Sequence, residues 1–260
     1  MAFDAQAPFF DALYRSNTII QFKRKRVRDH IRQFLKPGSN ILELNAGTGE
    51  DATCFAREGH RVHATDISGK MQQELLRKVH ESHLQDAITS ELCSFTELEN
   101  LGAQGPYDAI FSNFAGLNCT NHLSKVLDSF SPLLKPGGIV TLVLLPKFCL
   151  WEFMLLFKWK FKTAFRRFQG KKGTTAKIDN NRFHCWYYNP SYIRNYLQNS
   201  FDVIGLEGLC TLVPPSYMEG FAEKHPRLYN YLVRKENHLK SRWPWRSIGD
   251  YYIISLIKKA

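Results

Sequence analysis

Asn40-Ile41-Leu42-Glu43-Leu44-Asn45-Ala46-Gly47-Thr48-Gly49 is the stretch whose reading decides the fold. Its first five residues are a short apolar run interrupted by one acid, the size of a buried strand. Two glycines one residue apart follow, and then a helix through Thr53 to Glu58 that Gly59 ends. Glycine between a strand and a helix permits positive φ and lets a ligand come close to the backbone.

Outward from this loop the same rhythm repeats. Arg61 to Thr65 alternates as a second strand ending at Asp66, and Ser68 can cap a helix from Gly69 to Glu81. A weaker strand spans Ile88 to Leu92, a fourth Tyr107 to Ser112, and Leu123 to Leu134 reads as the helix after it. Lys135-Pro136-Gly137-Gly138 turns into a strongly apolar strand, Ile139 to Leu145. Upstream, residues 9–36 read as helical until Lys36-Pro37-Gly38 stops them. Downstream come a helix from Tyr192 to Gln198, a strand from Phe201 to about Leu212, and a last strand from Asp250 to Ile257. A Pro- and aromatic-rich helical excursion, 214–247, separates those two strands. Strand and helix alternating this way imply a parallel sheet covered on both faces.

The 260 residues suit one α/β domain with decorations. An apolar share of 44% with 23% charged residues is that of a globular chain, but a net charge of +11 points to an anionic partner. Six single cysteines, with no C-x-x-C pair, read as reduced thiols, and neither a zinc site nor a disulfide framework is expected. Asn118-Cys119-Thr120 fits a glycosylation acceptor, yet the N-terminus lacks a signal-peptide pattern, so glycosylation is discounted. No apolar run is long enough to span a bilayer. A soluble, cytoplasmic or at most peripheral protein is the expectation.

The loop narrows the chemistry. Gly47-x-Gly49-x-x-Ala52 also satisfies the dinucleotide fingerprint, with Asp66 about 20 residues on, where an acid grips a ribose diol. The plainer reading is a pair of turn glycines and a surface Asp. Glu43 discriminates between cofactors: a buried carboxylate needs a cation or donors, and an ammonium with a sulfonium meets it better than a pyrophosphate does. The competing reading of Glu43 is an acid that bonds loop amides.

Glu43 to Gly49 resembles the E/D-x-G-x-G-x-G loop of class I S-adenosylmethionine-dependent methyltransferases. Three further segments resemble that family in order: His63-Ala64-Thr65-Asp66-Ile67-Ser68 with Met71, Tyr107-Asp108-Ala109-Ile110-Phe111-Ser112-Asn113, and Leu133-Leu134-Lys135-Pro136-Gly137-Gly138. The likeness covers about residues 38–145. It implies a doubly wound, seven-stranded, mainly parallel sheet with an antiparallel last strand, N-terminal helices and a helical lid insertion. Along the chain that is a helical cap (1–37), a cofactor-binding core (38–145), an insertion (146–190) and a tail of helix, strands and excursion (191–260). S-adenosyl-L-methionine is then the cofactor. The resemblance places Glu43, Asn45, Ala46, Gly47 and Gly49 on its methionine side and Asp66 on the ribose, with Ile67 against the adenine. Asn113 comes near the methyl group, and Tyr14 closes over the cofactor or belongs to the core. Two positions depart from the family: Asn45 stands where glycine or an acid is usual, and Ser94 or the backbone of Phe95 stands in for an adenine-binding acid.

Residues 147–172 carry eight basic residues against Glu152, a net +7. Phe157, Phe161, Ala164, Phe165 and Phe168 fall on one helical face, with Lys158, Lys162 and Arg166 beside them. Such a helix predicts peripheral contact with an anionic membrane, or a lid over a hydrophobic acceptor, unless its aromatic face simply packs on the sheet. Interleaved aromatics and cations could also hold RNA, although nucleic acid is not the expected partner. The expected reaction is methyl transfer to O, N or C of a small, hydrophobic or lipid-like molecule. A high-pKa acceptor needs a base, and His184 is the first candidate, His122 the second. An RNA methyltransferase, a nicotinamide oxidoreductase on the same loop, and a binding module without turnover are the rival readings. The oxidoreductase lacks a Tyr-x-x-x-Lys pair after the fourth strand.

Overall fold

A computed structural model describes residues 7–159, 161–178, 181–218 and 220–259. Lys160 of the basic segment and the side chains of Leu13, Lys158, Lys171, Lys177, Ile178 and Asn181 lie outside the described set. Helix α1 (Phe10–Arg15) leads into α2 (Thr18–Ile31). The single helix expected over 9–36 is thus broken. Asn17 is extended (φ −87°, ψ 107°), and its side chain accepts from the amides of Ile19 and Ile20, both at 3.1 Å. Asn competes for local backbone groups and so caps a new helix better than it continues an old one.

Strand β1 (Asn40–Leu44), α3 (Glu50–Arg57), β2 (Arg61–Asp66), α4 (Gly69–Glu81) and β3 (Ile88–Leu92) form the first half of the sheet. Then come β4 (Tyr107–Ser112), α5 (Leu123–Asp128), α6 (Phe130–Leu133) and β5 (Leu134–Leu144). The insertion holds α7 (Leu150–Phe153), α8 (Phe161–Ala164) and a hairpin of β6 (Thr174–Ile178) with β7 (Asn181–Cys185). The tail holds α9 (Pro190–Leu197), β8 (Phe201–Leu209), α10 (Phe221–Lys224), α11 (Pro226–Leu239) and β9 (Tyr251–Lys258).

Seven strands form one sheet in the order β3-β2-β1-β4-β5-β9-β8. Pairings from β3 through β5 are parallel, and β9 runs antiparallel to both β5 and β8. Side chains alternate between two cores. Leu42, Leu44, Ile110, Leu142 and Ile254 fill one face, and Ile41, Phe111, Val143 and Ile253 the other. The chain leaves β1 toward β2 on one side and returns through β4 on the other. That switch opens a crevice beyond the carboxyl ends of the strands, where ligands bind in open α/β sheets.

The insertion is not the continuous amphipathic helix that its spacing predicts. Trp159 adopts φ +57°, which ends the turn before it, and only short helical pieces flank it. Two of its cations turn inward. Arg166 and Arg167 both reach the buried Glu152, with Nη2 atoms at 2.6 Å from Oε1, and Arg167 also meets Asp250 at 2.7 Å. These contacts fold the segment back onto the start of β9, which an extended helix would not allow. The β6–β7 hairpin within it was not anticipated: its strands are only five residues long, and each opens on two adjacent polar residues, which breaks the alternation of a strand. In the excursion, Glu236 on α11 accepts from the consecutive amides of Cys210 to Val213 at 2.8–3.0 Å, tying the helix back to the end of β8.

Candidate active site

A cavity of about 680 Å³ lies beyond the ends of β1, β2 and β4, within the range of about 300–1,000 Å³ of small-molecule sites. Its first wall is the glycine loop. Asn45 has φ +47°, a left-handed conformation that Asn tolerates well, which accounts for Asn at a position where the resembled family uses glycine. Its side chain is fixed on both ends: Nδ2 donates to the carbonyl of Asn113 at 3.0 Å, and Oδ1 accepts from Ser112 Oγ at 2.6 Å.

Gly47 and Gly49 do different work. Gly47 has φ +56° and open space where a Cβ would stand, so its backbone faces the cavity bare. Gly49 caps α3 at φ +74°, and a Cβ there would meet Leu75 Cγ at 2.7 Å. Gly49 is not among the cavity-lining residues; its task is to let α4 pack against the loop.

Asp66 closes the loop onto β2. One carboxylate oxygen accepts from the Gly47 amide at 2.9 Å and the other from the Ser68 amide at 2.8 Å. Ile67, half exposed, stands at the rim, and Ser94 and Phe95 line the cavity after β3. Across the loop, α1 contributes Tyr14 and Phe10, whose rings lie 4.3 Å apart. Asp11 pins this helix, accepting from Thr48 Oγ1 at 2.6 Å and pairing with Lys78 at 2.5 Å.

Glu43 is 3% exposed, lines the cavity, and its Oε2 has no hydrogen-bond partner among the described residues. Burial, reinforced by the nearby Asp51 carboxylate, pushes its acid well above the usual range, against the pull of Arg24 and Arg28. A buried oxygen with no donor is costly unless a ligand supplies one. The reading of Glu43 as an acid satisfied by loop amides is not what is found. An ammonium group with a neighbouring sulfonium would supply the missing donor, and the open space beside the Gly47 backbone would leave room for it, so the residues present fit S-adenosylmethionine.

Asp51 was missed from the sequence. It sits in the first turn of α3, 4% exposed, with Arg28 Nε at 2.7 Å and Arg24 Nη1 at 3.2 Å. Burial would raise its acid, yet Arg24 and Arg28 outweigh that and hold it below the usual range. Asn113 Nδ2 donates to the same carboxylate, and Asn113 Oδ1 accepts from the amide of Phe114. Asn113 is therefore a brace at the end of β4. Phe114 and Ala115 follow in left-handed conformations, φ +50° and +60°, strained backbone of the kind found at ligand sites. Arg24 and Arg28, one turn apart before an acidic helix start, were the available signal, but nothing local links positions so distant in the chain.

Phe114, Cys119, Leu145, Phe183, Tyr187 and Tyr251 also line the cavity. Burial pushes the Tyr187 hydroxyl and the Cys119 thiol up to about 12, so both are neutral groups. The two histidines proposed as bases are elsewhere. His184 is exposed on β7 with its ring beside Trp186, and His122 is exposed at the start of α5; neither lines the cavity.

No curated protein matches the chain in sequence. Several solved structures share its fold. The [4+2]-cyclase SpnF is 14% identical with a TM-score of 0.63, covering 99% of this chain and 94% of its own. The 1,6-didemethyltoxoflavin-N1-methyltransferase of Burkholderia thailandensis, solved with its substrate and S-adenosylhomocysteine, is 13% identical with a TM-score of 0.59, covering 99% and 86%. The geranyl diphosphate C-methyltransferase of Streptomyces coelicolor A3(2) is 13% identical with a TM-score of 0.58, covering 92% and 80%. At such identities these structures establish the fold alone. Residues 41–138 match a family described as a methyltransferase domain. That segment runs from β1 to the start of β5 and contains the loop, Glu43, Asp66 and Asn113, so this part of the chain matches a methyltransferase domain.

Proposed function

We propose that the protein methylates a small, mainly apolar acceptor bound against Phe114, Phe183, Tyr187 and Leu145. The observation that carries this reading is a single cavity of about 680 Å³ lined both by the glycine loop and by Phe114, Phe183, Tyr187 and Tyr251. A volume on this scale suits small molecules.

Glu43 and the Gly47 backbone would hold the methionyl end of the cofactor, Asp66 its ribose hydroxyls, and Ile67 with Phe95 the faces of its adenine. Bound there, S-adenosylmethionine supplies an electrophilic methyl group on a positively charged sulfur. The chain contributes alignment: the strained turn after β4 presents Phe114 to the cavity, and the aromatic wall excludes water from the acceptor. Reactivity is tested with methyl-labelled S-adenosylmethionine and two arms, a panel of apolar phenols, amines and acids, and total RNA. Label in a small molecule supports the reading. Label in RNA alone overturns it.

A second reading concerns the insertion. Phe157 and Trp159 are 86% and 82% exposed, beside the half-exposed Phe161 and the cation Lys162. Exposed aromatics next to positive charge favour contact with an anionic membrane surface, from which a lipophilic acceptor could enter. Among the described residues no helix is long and apolar enough to cross a membrane.

A further inference from the structure

Three cations line the cavity, and two are committed. Arg24 pairs with Asp51, and Arg166 pairs with Glu152. Lys23 is the exception. It is 2% exposed, lines the cavity, and forms no ion pair with any described residue. Its Nζ donates to Ser216 Oγ at 2.9 Å and stands 4.6 Å from the ring centroid of Tyr251 and 5.5 Å from that of Phe114.

An ammonium has three donors, and one hydroxyl satisfies only one of them. Aromatic faces attract the charge but accept no full hydrogen bond. Burying a cation on these terms is costly, and a ligand anion would remove the cost. The surroundings also say which ligand. Ser216 lies in the excursion, Tyr251 starts β9 and Phe114 follows β4, whereas the glycine loop, Glu43 and Asp66 belong to β1, β2 and the turn between β1 and α3. The unpaired acid oxygen of Glu43 and the unpaired cation Lys23 thus line one cavity from different elements of the fold.

We infer that the acceptor carries an anionic group, a carboxylate or a phosphate, that pairs with Lys23 while its apolar body rests on the aromatic wall. This rests on the reading of that wall as the acceptor site. Lys23 is then a specificity-determining residue, because a neutral analogue would leave its ammonium unpaired.

Calorimetry on the full chain saturated with S-adenosylhomocysteine tests it, with 1-naphthoate, 1-naphthyl phosphate and the neutral 1-naphthalenemethanol as probes. The expected result is binding of at least one anion about tenfold or more tighter than the neutral probe, and the tighter anion identifies the group. Lys23→Met should erase that preference, Lys23→Arg should keep most of it, and neither should change the affinity for S-adenosylhomocysteine. Equal binding of all three probes to the unsubstituted protein, or no binding of either anion, overturns the inference without relying on any variant. A preference that survives Lys23→Met, with weakened S-adenosylhomocysteine binding, assigns Lys23 to the cofactor's carboxylate and also overturns it. If S-adenosylhomocysteine itself does not bind, the failure lies with the cofactor site and not with Lys23. Anion binding together with methylation of neutral molecules alone would place the anion outside the acceptor site and overturn the inference separately.

Discussion

Asn113 Nδ2 donates to Asp51 Oδ2 at 2.8 Å, while Arg28 and Arg24 hold the two oxygens of the same carboxylate. This buried junction joins the end of β4, the start of α3 and the middle of α2. It therefore fixes the N-terminal helix against the floor of the cavity, directly behind Glu43.

Asp51→Asn should lower the stability of the protein by about 3–5 kcal/mol, since it strands two buried or half-buried guanidiniums without a counter-charge. Urea denaturation at neutral pH measures this. A loss below about 1 kcal/mol would mean that the junction is not the brace described.

Asp66→Ala should weaken S-adenosylhomocysteine binding by about 2 kcal/mol or more, through lost ribose contacts and released Gly47 and Ser68 amides. Isothermal calorimetry reads it, and unchanged affinity sinks the assignment.

The two loop glycines should respond differently to alanine. At Gly49 the left-handed backbone and the clash with Leu75 together should cost about 2–4 kcal/mol of stability. At Gly47 the backbone strain alone costs about 1–2 kcal/mol, but the new methyl enters the cavity and should abolish cofactor binding. Thermal unfolding and ligand titration of both variants separate the effects. The same loss pattern in each would contradict the division of labour.

Glu43 links cofactor binding to pH. Burial raises its acid above the usual carboxylate range, and a cation arriving beside it must lower it again. Between those two values the free protein holds a proton that the complex does not, so binding of S-adenosylmethionine should release up to one proton in that window and none well above it. Calorimetry in two buffers of different ionisation heat counts the proton. Glu43→Gln should show no release; an identical count in both proteins rules Glu43 out as its source.

For the insertion, Lys162→Glu combined with Trp159→Ala should weaken binding to phosphatidylserine vesicles by about tenfold or more, with each cation near the surface worth about 1 kcal/mol. Co-sedimentation measures it, with neutral vesicles as the control. Binding that survives the double change removes the membrane reading.

The sequence by itself determined the order of the strands in the main sheet and the residues of the glycine loop that line the cavity. Glycines between strand and helix, an acid at the end of the second strand and alternating apolar runs are local patterns, each spanning at most a helical turn or a strand. They placed the sheet, Glu43, Gly47 and Asp66 without reference to distant residues. The tertiary structure alone decided the rest. Gly49 proved to be a packing glycine because Leu75, 26 positions later, fills the space beside it. His184 and His122 looked like bases by residue type, but their direction depends on a hairpin and a helix start that turn them outward. The basic segment spelled a helix by spacing, yet the ion pairs of Arg166 and Arg167 with Glu152, and of Arg167 with Asp250, fold it back, and no helical period encodes a partner 83 residues away. Lys23 was one cation in a run of four on α2; only the approach of Ser216, Tyr251 and Phe114 from three other segments buries it and leaves its charge unanswered.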